Sequence, residues 1–588
     1  MKLKRTLIFC FCLSLSINLF SQNKISRIEP PNWWVGMKNT TLQLLIYGDQ
    51  IGDFNPEINY AGITITQITK VPNPNYLFLD IQIAPEAQAG NVKIDFKKND
   101  KIVESHSYPL WERDTGSAER EGFNNSDVMY LITPDRFANG DATNDAIAGL
   151  REAPNRTNKG GRHGGDIQGI RDHLDYIKDL GFTAIWLNPV LENDMETYSY
   201  HGYSTTDYYK IDSRFGSNES YRTFCKESKD AGIKMIMDII VNHCGSLHWW
   251  MNDLPTKDWV NFSEGPYVGT NHRKTVIQDP HVAKVDYQTM VDGWFVKTMP
   301  DLNQRNPLLA TYLIQNSIWW IEYSYLAGIR MDTYPYPHQW FMTDWTKAIM
   351  EEYPDFNIVG EEWNSNPAIV AYWQRGKNNP NGYTSDLRSL MDFPVQLACR
   401  EALNQKEGWG DGWISLYEMI ANDFQYADPD NLVIFPDNHD MMRFYSQINE
   451  DFDLFKLGIV FYATTRGIPQ FYYGTEILMT STDDHGIVRT DFPGGWPGDK
   501  VNARTGAGLS NKQKETQAFF KKLLQWRKDK TAIHIGKLIH FEPKDGIYVY
   551  FRYNDTDKIM VVLNKGKQKN LELARFEEML HNVKGGKE

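Results

Sequence analysis

The sequence predicts an α/β protein: a (β/α)8 TIM barrel carrying an N-terminal β-sandwich and a short C-terminal β domain. Three observations support this. Short apolar runs alternate with amphipathic helical stretches through about 400 residues in the middle of the chain. The residues before them alternate with period two and show no helical period. The last stretch of the chain returns to strand-like runs.

The sandwich is expected over residues 22–117, from alternating runs at Thr41–Tyr47, Gly62–Ile68 and Tyr76–Ile83 separated by Pro- and Gly-containing turns. The barrel is expected over 118–532. Its strands are read at Val128–Ile132, Ala184–Leu187, Met235–Val241, Gly328–Met331, Asn357–Gly360, Leu432–Phe435 and Gln470–Tyr473. Helices are read at Ile167–Leu180, Asn218–Ala231 and Asn511–Asp529 from apolar residues at helical spacing. An open doubly wound sheet is the competing architecture, disfavoured because no Gly-rich phosphate loop follows an early strand. Residues 244–306 break the alternation. They are loop-rich, carry Trp249, Trp250 and Trp259, and read as an insertion over the barrel's C-terminal face. Residues 533–588 form the C-terminal β domain, with strands at Gly546–Tyr553 and Lys558–Leu563.

A formal charge of −13 excludes a basic footprint of the kind that binds nucleic acid or an anionic membrane. Lys2, Lys4 and Arg5 precede the apolar run Thr6–Phe20, which is short for a membrane span. Residues 1–21 therefore read as a signal peptide, an uncleaved anchor being the alternative. The expected location is across the inner membrane, periplasmic or else extracellular, with no stable membrane insertion. Cys225, Cys244 and Cys399 remain after the leader, an odd set without metal spacing, so no disulfide framework is expected. Aromatic residues make up 13% of the chain, which suits both stacking on sugar faces and ordinary core packing.

In such a barrel, catalytic groups sit where strands end on the C-terminal face. Asp238 lies within one strand, and Asn242 and His243 follow it. Arg330 and Asp332 end the next, and Glu361 and Glu362 follow the one after. Asp437, Asn438, His439 and Asp440 follow a fourth. Glycoside hydrolysis needs one ionised carboxylate and one carboxyl that keeps its proton for the leaving oxygen. Arg330 and Asp332 share a strand face, so the guanidinium is expected to keep Asp332 ionised. Glu361 suits the acid and Asp440 supplies a third carboxylate.

Asp238-Ile-Ile-Val-Asn-His243, Gly328-Ile-Arg-Met-Asp332, Gly360-Glu-Glu-Trp363 and Phe435-Pro-Asp-Asn-His-Asp440 resemble, in order and spacing, the four signature regions of the α-amylase family. Gly181-Phe-Thr-Ala-Ile-Trp-Leu-Asn-Pro189, Gly467-Ile-Pro-Gln-Phe-Tyr-Tyr-Gly474 and Met299-Pro-Asp-Leu-Asn303 resemble further motifs of that family. The last is similar to one of the neopullulanase and cyclomaltodextrinase branch. The resemblance spans about residues 125–530, and the N-terminal sandwich fits the same branch.

The resemblance implies a retaining hydrolase of α-1,4-glucans, acting on α-glucan oligosaccharides from starch, on pullulan or on cyclodextrins. It makes Asp332 the nucleophile, Glu361 the acid/base and Asp440 the carboxylate that steadies the transition state. Arg330 would orient Asp332, His243 and His439 would bind sugar hydroxyls, and Tyr203 would stack under the ring whose bond is cut. Asp238 reads as a group that orients the site from within its strand. The family places the acid directly after the glycine, which favours Glu361 over Glu362.

A second cluster gathers oxygen donors at Asn139, Asp141, Asn144 and Asp145, with Gly164 and Asp166 following. Hard oxygens on a Gly-containing loop suit a structural Ca2+, and the second segment is similar to a companion segment of the same branch. An ordinary Asn/Asp/Gly turn is the alternative. Transglycosylation and a catalytically inactive glucan-binding protein are the competing functions. The second is disfavoured because Asp332, Glu361 and Asp440 are all present. A monomer and a homodimer stay equally open. Trp33 and Trp34 are read either as a sugar platform or as core, and Gly585-Gly586 as the mark of a truncated C-terminal domain.

Overall fold

The structure, a computed structural model, describes residues 24–567 and 570–580. Residues 1–21, read above as a signal peptide, and Gly585-Gly586 lie outside the described residues. Eight parallel strands run β1 (Met129–Ile132), β2 (Ala184–Leu187), β3 (Lys234–Ile239), β4 (Gly328–Met331), β5 (Ile358–Gly360), β6 (Ser389–Leu390), β7 (Val433–Ile434) and β8 (Ile468–Tyr472). Their order around the sheet is β6-β5-β4-β3-β2-β1-β8-β7. A parallel bridge between Met391 and Val433 joins β6 to β7, with Asp392 N donating to Val433 O at 2.8 Å, and closes the ring. The TIM barrel expected from the alternation is the one observed.

The sequence did not reveal β6, because two residues carry no periodicity. The helix expected over Ile167–Leu180 is two helices, Ile167–Asp172 and Leu174–Leu180. They part at His173, whose imidazole meets the Gly169 carbonyl at 2.8 Å and competes there for a helical acceptor. The second helix stops at Gly181 (φ +107°), where a side chain would also strike Leu524.

The N-terminal domain is a sandwich of two four-stranded sheets. One holds Ile25–Glu29, Thr41–Gly48, Tyr76–Ile83 and Ile63–Lys70; the other holds Trp33–Trp34, Lys101–Trp111, Gly90–Lys98 and Asn55–Ile58. Trp33 and Trp34 are buried, Trp34 packing edge-on to Trp111, so the pair is core and not an exposed sugar platform. Gln43 and Gln315 exchange two hydrogen bonds of 2.7 and 2.8 Å between backbone and side chain, fixing the sandwich to the barrel helix Pro307–Tyr323.

The 244–306 insertion is anchored rather than loose. Trp250 and Trp259 are fully buried, and Arg27 lies over the Trp249 ring at 4.8 Å. Asp253 is gripped by Asn75 Nδ2 at 2.8 Å and Tyr47 OH at 3.1 Å, both from the sandwich. The sandwich thus holds from behind a segment whose other side faces the barrel mouth. At the C-terminal end, an antiparallel sheet of Lys537–Lys544, Ile547–Tyr553 and Lys558–Asn564 packs on the barrel, with Trp413 Nε1 donating to Gly546 O at 3.1 Å. Cys225, Cys244 and Cys399 are free and buried. No helix among the described residues is long and apolar enough to cross a membrane.

Candidate active site

At the C-terminal mouth of the barrel lies a cleft of about 380 Å³, lined among others by Tyr203, His243, Asp332, Glu361, Asp440 and Arg489. Two neighbouring hollows continue it. One shares Trp363 and Asp440 with the cleft, and the other shares His201, Met299 and Arg489. Together they form a groove open on both sides of the carboxylates, as a chain-like ligand requires.

Arg330, fully buried on β4, organises the centre. Its Nη1 donates to Asp238 Oδ1 at 2.8 Å and to Asp332 Oδ1 at 2.7 Å, and its Nη2 lies 2.8 Å from Glu361 Oε1. One guanidinium therefore fixes two carboxyls that both face the cleft. Residues 330 and 332 share a face because strand side chains alternate. Glu361 is also fixed by the Thr333 amide, which donates to Oε2 at 3.1 Å.

The charge balance at Asp332 differs from the sequence expectation. Burial pushes its carboxyl well above the usual range, Arg330 pulls it down, and the charges on Glu361 and Asp238 push it up again. Burial wins because three acidic groups share one cation. Arg330 is thus one of several opposed influences on the Asp332 carboxyl.

Asp440 sits in the opposite balance. Burial would raise it, but His439, at 2.9 Å through Nε2, and Arg489, at 2.6 Å through Nη2, hold it well below the carboxylate range. It is the firmly ionised carboxylate of the site.

The adjacent glutamates separate cleanly. Glu361 faces the cleft, whereas Glu362 is wholly buried and turned the other way, to Lys274 Nζ at 2.9 Å and Trp373 Nε1 at 3.1 Å. Glu361 is the one of the two placed to meet a ligand.

His243 lines the cleft under the Phe295 ring, at 5.3 Å and nearly parallel. Burial pushes it down to about 4, against a weak pull from the Tyr203 carbonyl, so it is neutral at pH 7. The Tyr203 ring also lines the cleft. Its hydroxyl donates to Asp238 Oδ2 at 3.0 Å and meets His439 Nε2 at 2.6 Å, which fixes the ring. Arg330 and His439 stand behind the carboxylates instead of on the cleft surface. Both are buried; the two Nη atoms of Arg330 meet Asp332 and Glu361, and Nε2 of His439 meets Asp440 and Tyr203. Their role in this geometry is to hold the groups that reach the ligand.

Sequence reasoning missed Arg489, Lys274, Phe295 and Tyr336, all on the cleft. Arg489, Lys274 and Phe295 lie far from any barrel strand end, and Tyr336 lies five residues beyond the end of β4, past the residues directly after the strand.

The second cluster comes together only in part: Asp141 Oδ1 turns to the Thr143 amide and hydroxyl, and among the described residues no three acidic, His or Cys side chains converge. Asn139 Nδ2 donates to Asp145 Oδ1 at 2.8 Å, Asp141 N donates to Asp166 Oδ2 at 2.8 Å, and Gly164 abuts the Asp145 carboxylate. Asp166 doubles as a helix N-cap, accepting from Gly169 N at 2.6 Å.

Residues 131–532 match the Alpha amylase, catalytic domain family. The chain belongs to the α-amylase family. Flanking matches to the Cyclomaltodextrinase, N-terminal domain over 27–114 and the Cyclo-malto-dextrinase C-terminal domain over 538–588 place this α-amylase-family chain in the branch its motifs resemble. It is 28% identical over 453 residues to a cyclomaltodextrinase of Thermoanaerobacter pseudethanolicus, covering 76% of this chain and 71% of that protein. It is 27% identical over 468 residues to neopullulanase 2 of Thermoactinomyces vulgaris, covering 77% and 71%. The crystal structure of an Anoxybacillus α-amylase superposes with a TM-score of 0.62 at 30% identity, covering 76% of this chain and 88% of that one. The match to a β/α-amylase of Paenibacillus polymyxa spans only 33% of that longer protein. The chain is thus an α-amylase-family glycosidase.

Proposed function

We propose that this glycosidase hydrolyses α-1,4-glucosidic bonds of starch-derived oligosaccharides, pullulan or cyclodextrins, with retention, through a covalent glycosyl-enzyme intermediate. The observation that carries the reading is the pair Asp332 and Glu361, both fixed by Arg330 on the floor of a groove that continues to either side.

Asp332 attacks the anomeric carbon once the bound sugar has taken over Glu361's neighbourhood and Glu361 holds the proton. Glu361 delivers that proton to the leaving oxygen, then removes one from water to release the product. Asp440, ionised and immobile, accepts sugar hydroxyls and opposes the positive charge of the oxocarbenium-like transition state. Neutral His243 lines the sugar's place in the cleft, its one N–H shared between the Tyr203 carbonyl and a sugar hydroxyl, and the Tyr203 ring supports the sugar face.

Asn139, Asp141, Asn144, Asp145, Gly164 and Asp166 would hold a structural Ca2+, which would neutralise the acidic cluster when bound. The donors fit. Asn144 Oδ1 is buried without a partner, and Asp145 is pushed up by burial and by the charges of Asp166, Asp135 and Asp141. The leader supports export to the periplasm.

Products from pullulan, soluble starch and cyclodextrins test the substrate reading. Panose or maltose release supports it. Inactivity on all three, with a correctly folded protein, defeats it.

A further inference from the structure

Behind the catalytic glutamate lies a buried ion pair that the chemistry above does not use. Glu362, the residue after Glu361, has no exposed surface, and its carboxylate meets Lys274 Nζ at 2.9 Å and Trp373 Nε1 at 3.1 Å. Lys274 comes from the 244–306 insertion, from the short turn Lys274–Ile277, and also donates to the Trp363 carbonyl at 2.6 Å. Its ammonium thus meets the side chain of residue 362 and the backbone of residue 363, immediately beyond the acid. His272, two residues before Lys274, meets Tyr336 OH at 3.2 Å, and Phe295 packs on both rings. The wall of the cleft and the strand end that bears Glu361 are therefore joined through one charge pair.

Two buried carboxylates in sequence are costly unless each has a partner. Glu361 has Arg330, and Glu362 has Lys274. Removing Lys274 would leave Glu362 charged and unpaired, and the segment 361–363 would shift to find it solvent or a proton. A displacement of about 1 Å in an acid group costs up to about 10²-fold in rate.

We propose that Lys274 and Glu362 form a positioning pair that locks the insertion onto the end of β5 and holds Glu361 on its leaving oxygen. The inference rests on the reading of Glu361 as the acid/base. Lys274 acts through Glu362 and the 363 carbonyl and touches no reacting atom in this role.

The test is a double-mutant cycle of Lys274→Met and Glu362→Gln, read as kcat/KM on a maltooligosaccharide and on a maltosyl fluoride. The fluoride leaves without a proton, so its kcat/KM does not depend on where the acid sits. Lys274→Met should lose about 10- to 100-fold on the oligosaccharide and much less on the fluoride, in line with a misplaced acid. Adding Glu362→Gln, which removes the orphaned charge, should recover most of that loss. In Glu362→Gln alone the single amide oxygen can serve Trp373 or Lys274 but not both, so its melting temperature is read beside its kcat/KM. Equal losses on both substrates, additive losses in the double variant, or a lowered melting temperature with unchanged kcat/KM would each overturn the proposal. Glu361→Gln run alongside separates the two failures: if it keeps oligosaccharide activity, the acid/base reading itself is wrong.

Discussion

Arg489 Nη2 lies 2.6 Å from Asp440 Oδ1, and its Nε donates to the His439 carbonyl at 2.8 Å. One side chain therefore fixes both the third carboxylate and the backbone that presents it. The consequence is electrostatic as well as geometric, because Asp440 is held in its charged form against burial.

Arg489→Ala should accordingly lower kcat/KM by about tenfold or more, the scale of losing a hydrogen bond to a charged group. The sign of its pH effect follows. The folded pKa of Asp440 lies below the ordinary carboxylate value of about 4, so its contribution to stability is present above that value and is lost as pH falls through the depressed one. Without Arg489 the folded pKa rises, so Asp440 takes up its proton at a higher pH and contributes less stability above the ordinary carboxylate value. The acid limb of kcat/KM should move to higher pH and the melting temperature at neutral pH should fall; an unmoved acid limb would remove Arg489 from this role.

Asp332→Asn should abolish turnover with a melting temperature close to that of the parent, since Asn nearly matches Asp in shape and still meets Arg330. Glu361→Gln should cost about 10²- to 10⁴-fold on substrates with poor leaving groups, the usual contribution of a general acid. Azide should restore the second step in Glu361→Ala. Activity measurements on starch beside thermal melts check all three.

How much of this was legible in the sequence differs by element. The barrel was, because seven of its strands are apolar runs with polar residues directly after them, and the strand ends name Asp332, Glu361 and Asp440. β6 was not, because Ser389 and Leu390 are too few to show a period. Glu361 and Glu362 were indistinguishable as letters. Only their opposite directions at the end of β5, one to the cleft and one to Lys274, tell them apart. Arg489 stands 49 residues beyond Asp440 in a loop, where no periodicity or strand end marks it. The balance of influences on Asp332 was legible only in part, for a related reason. The sequence shows that Arg330 is near, but not that burial and two further carboxylates oppose it.

Calcium is predicted to act on stability and not on the chemical step. A ligand that binds only the folded chain stabilises it by about 2.7 kcal/mol at a hundred times its dissociation constant. Chelation should lower the melting temperature and added calcium should restore it. Asp141→Ala should melt low and ignore calcium. Asp166→Ala should do the same and lose a further ~1 kcal/mol in chelator, because Asp166 also caps the helix that starts at Ile167. Scanning calorimetry with and without calcium separates the two contributions. Identical melting curves for the parent in chelator and in calcium would remove the ion from the account.

The stereochemical outcome tests the mechanism most directly. Asp332 and Glu361 reach adjacent nitrogens of one guanidinium from neighbouring strands. That arrangement favours the retaining separation of about 5–5.5 Å over the 6.5–9.5 Å or so that an inverting enzyme needs to admit a water opposite the leaving group. With Asp332 as nucleophile, two displacements restore the configuration, so the first product from an α-linked glucan should be the α-anomer. Proton NMR of a fresh maltooligosaccharide digest resolves the anomeric signals in the first minutes, before mutarotation mixes them. The α signal should rise first and relax towards equilibrium. A β signal rising first would mean that water, not Asp332, attacks the anomeric carbon, and Asp332 would then have to act as the base for that water.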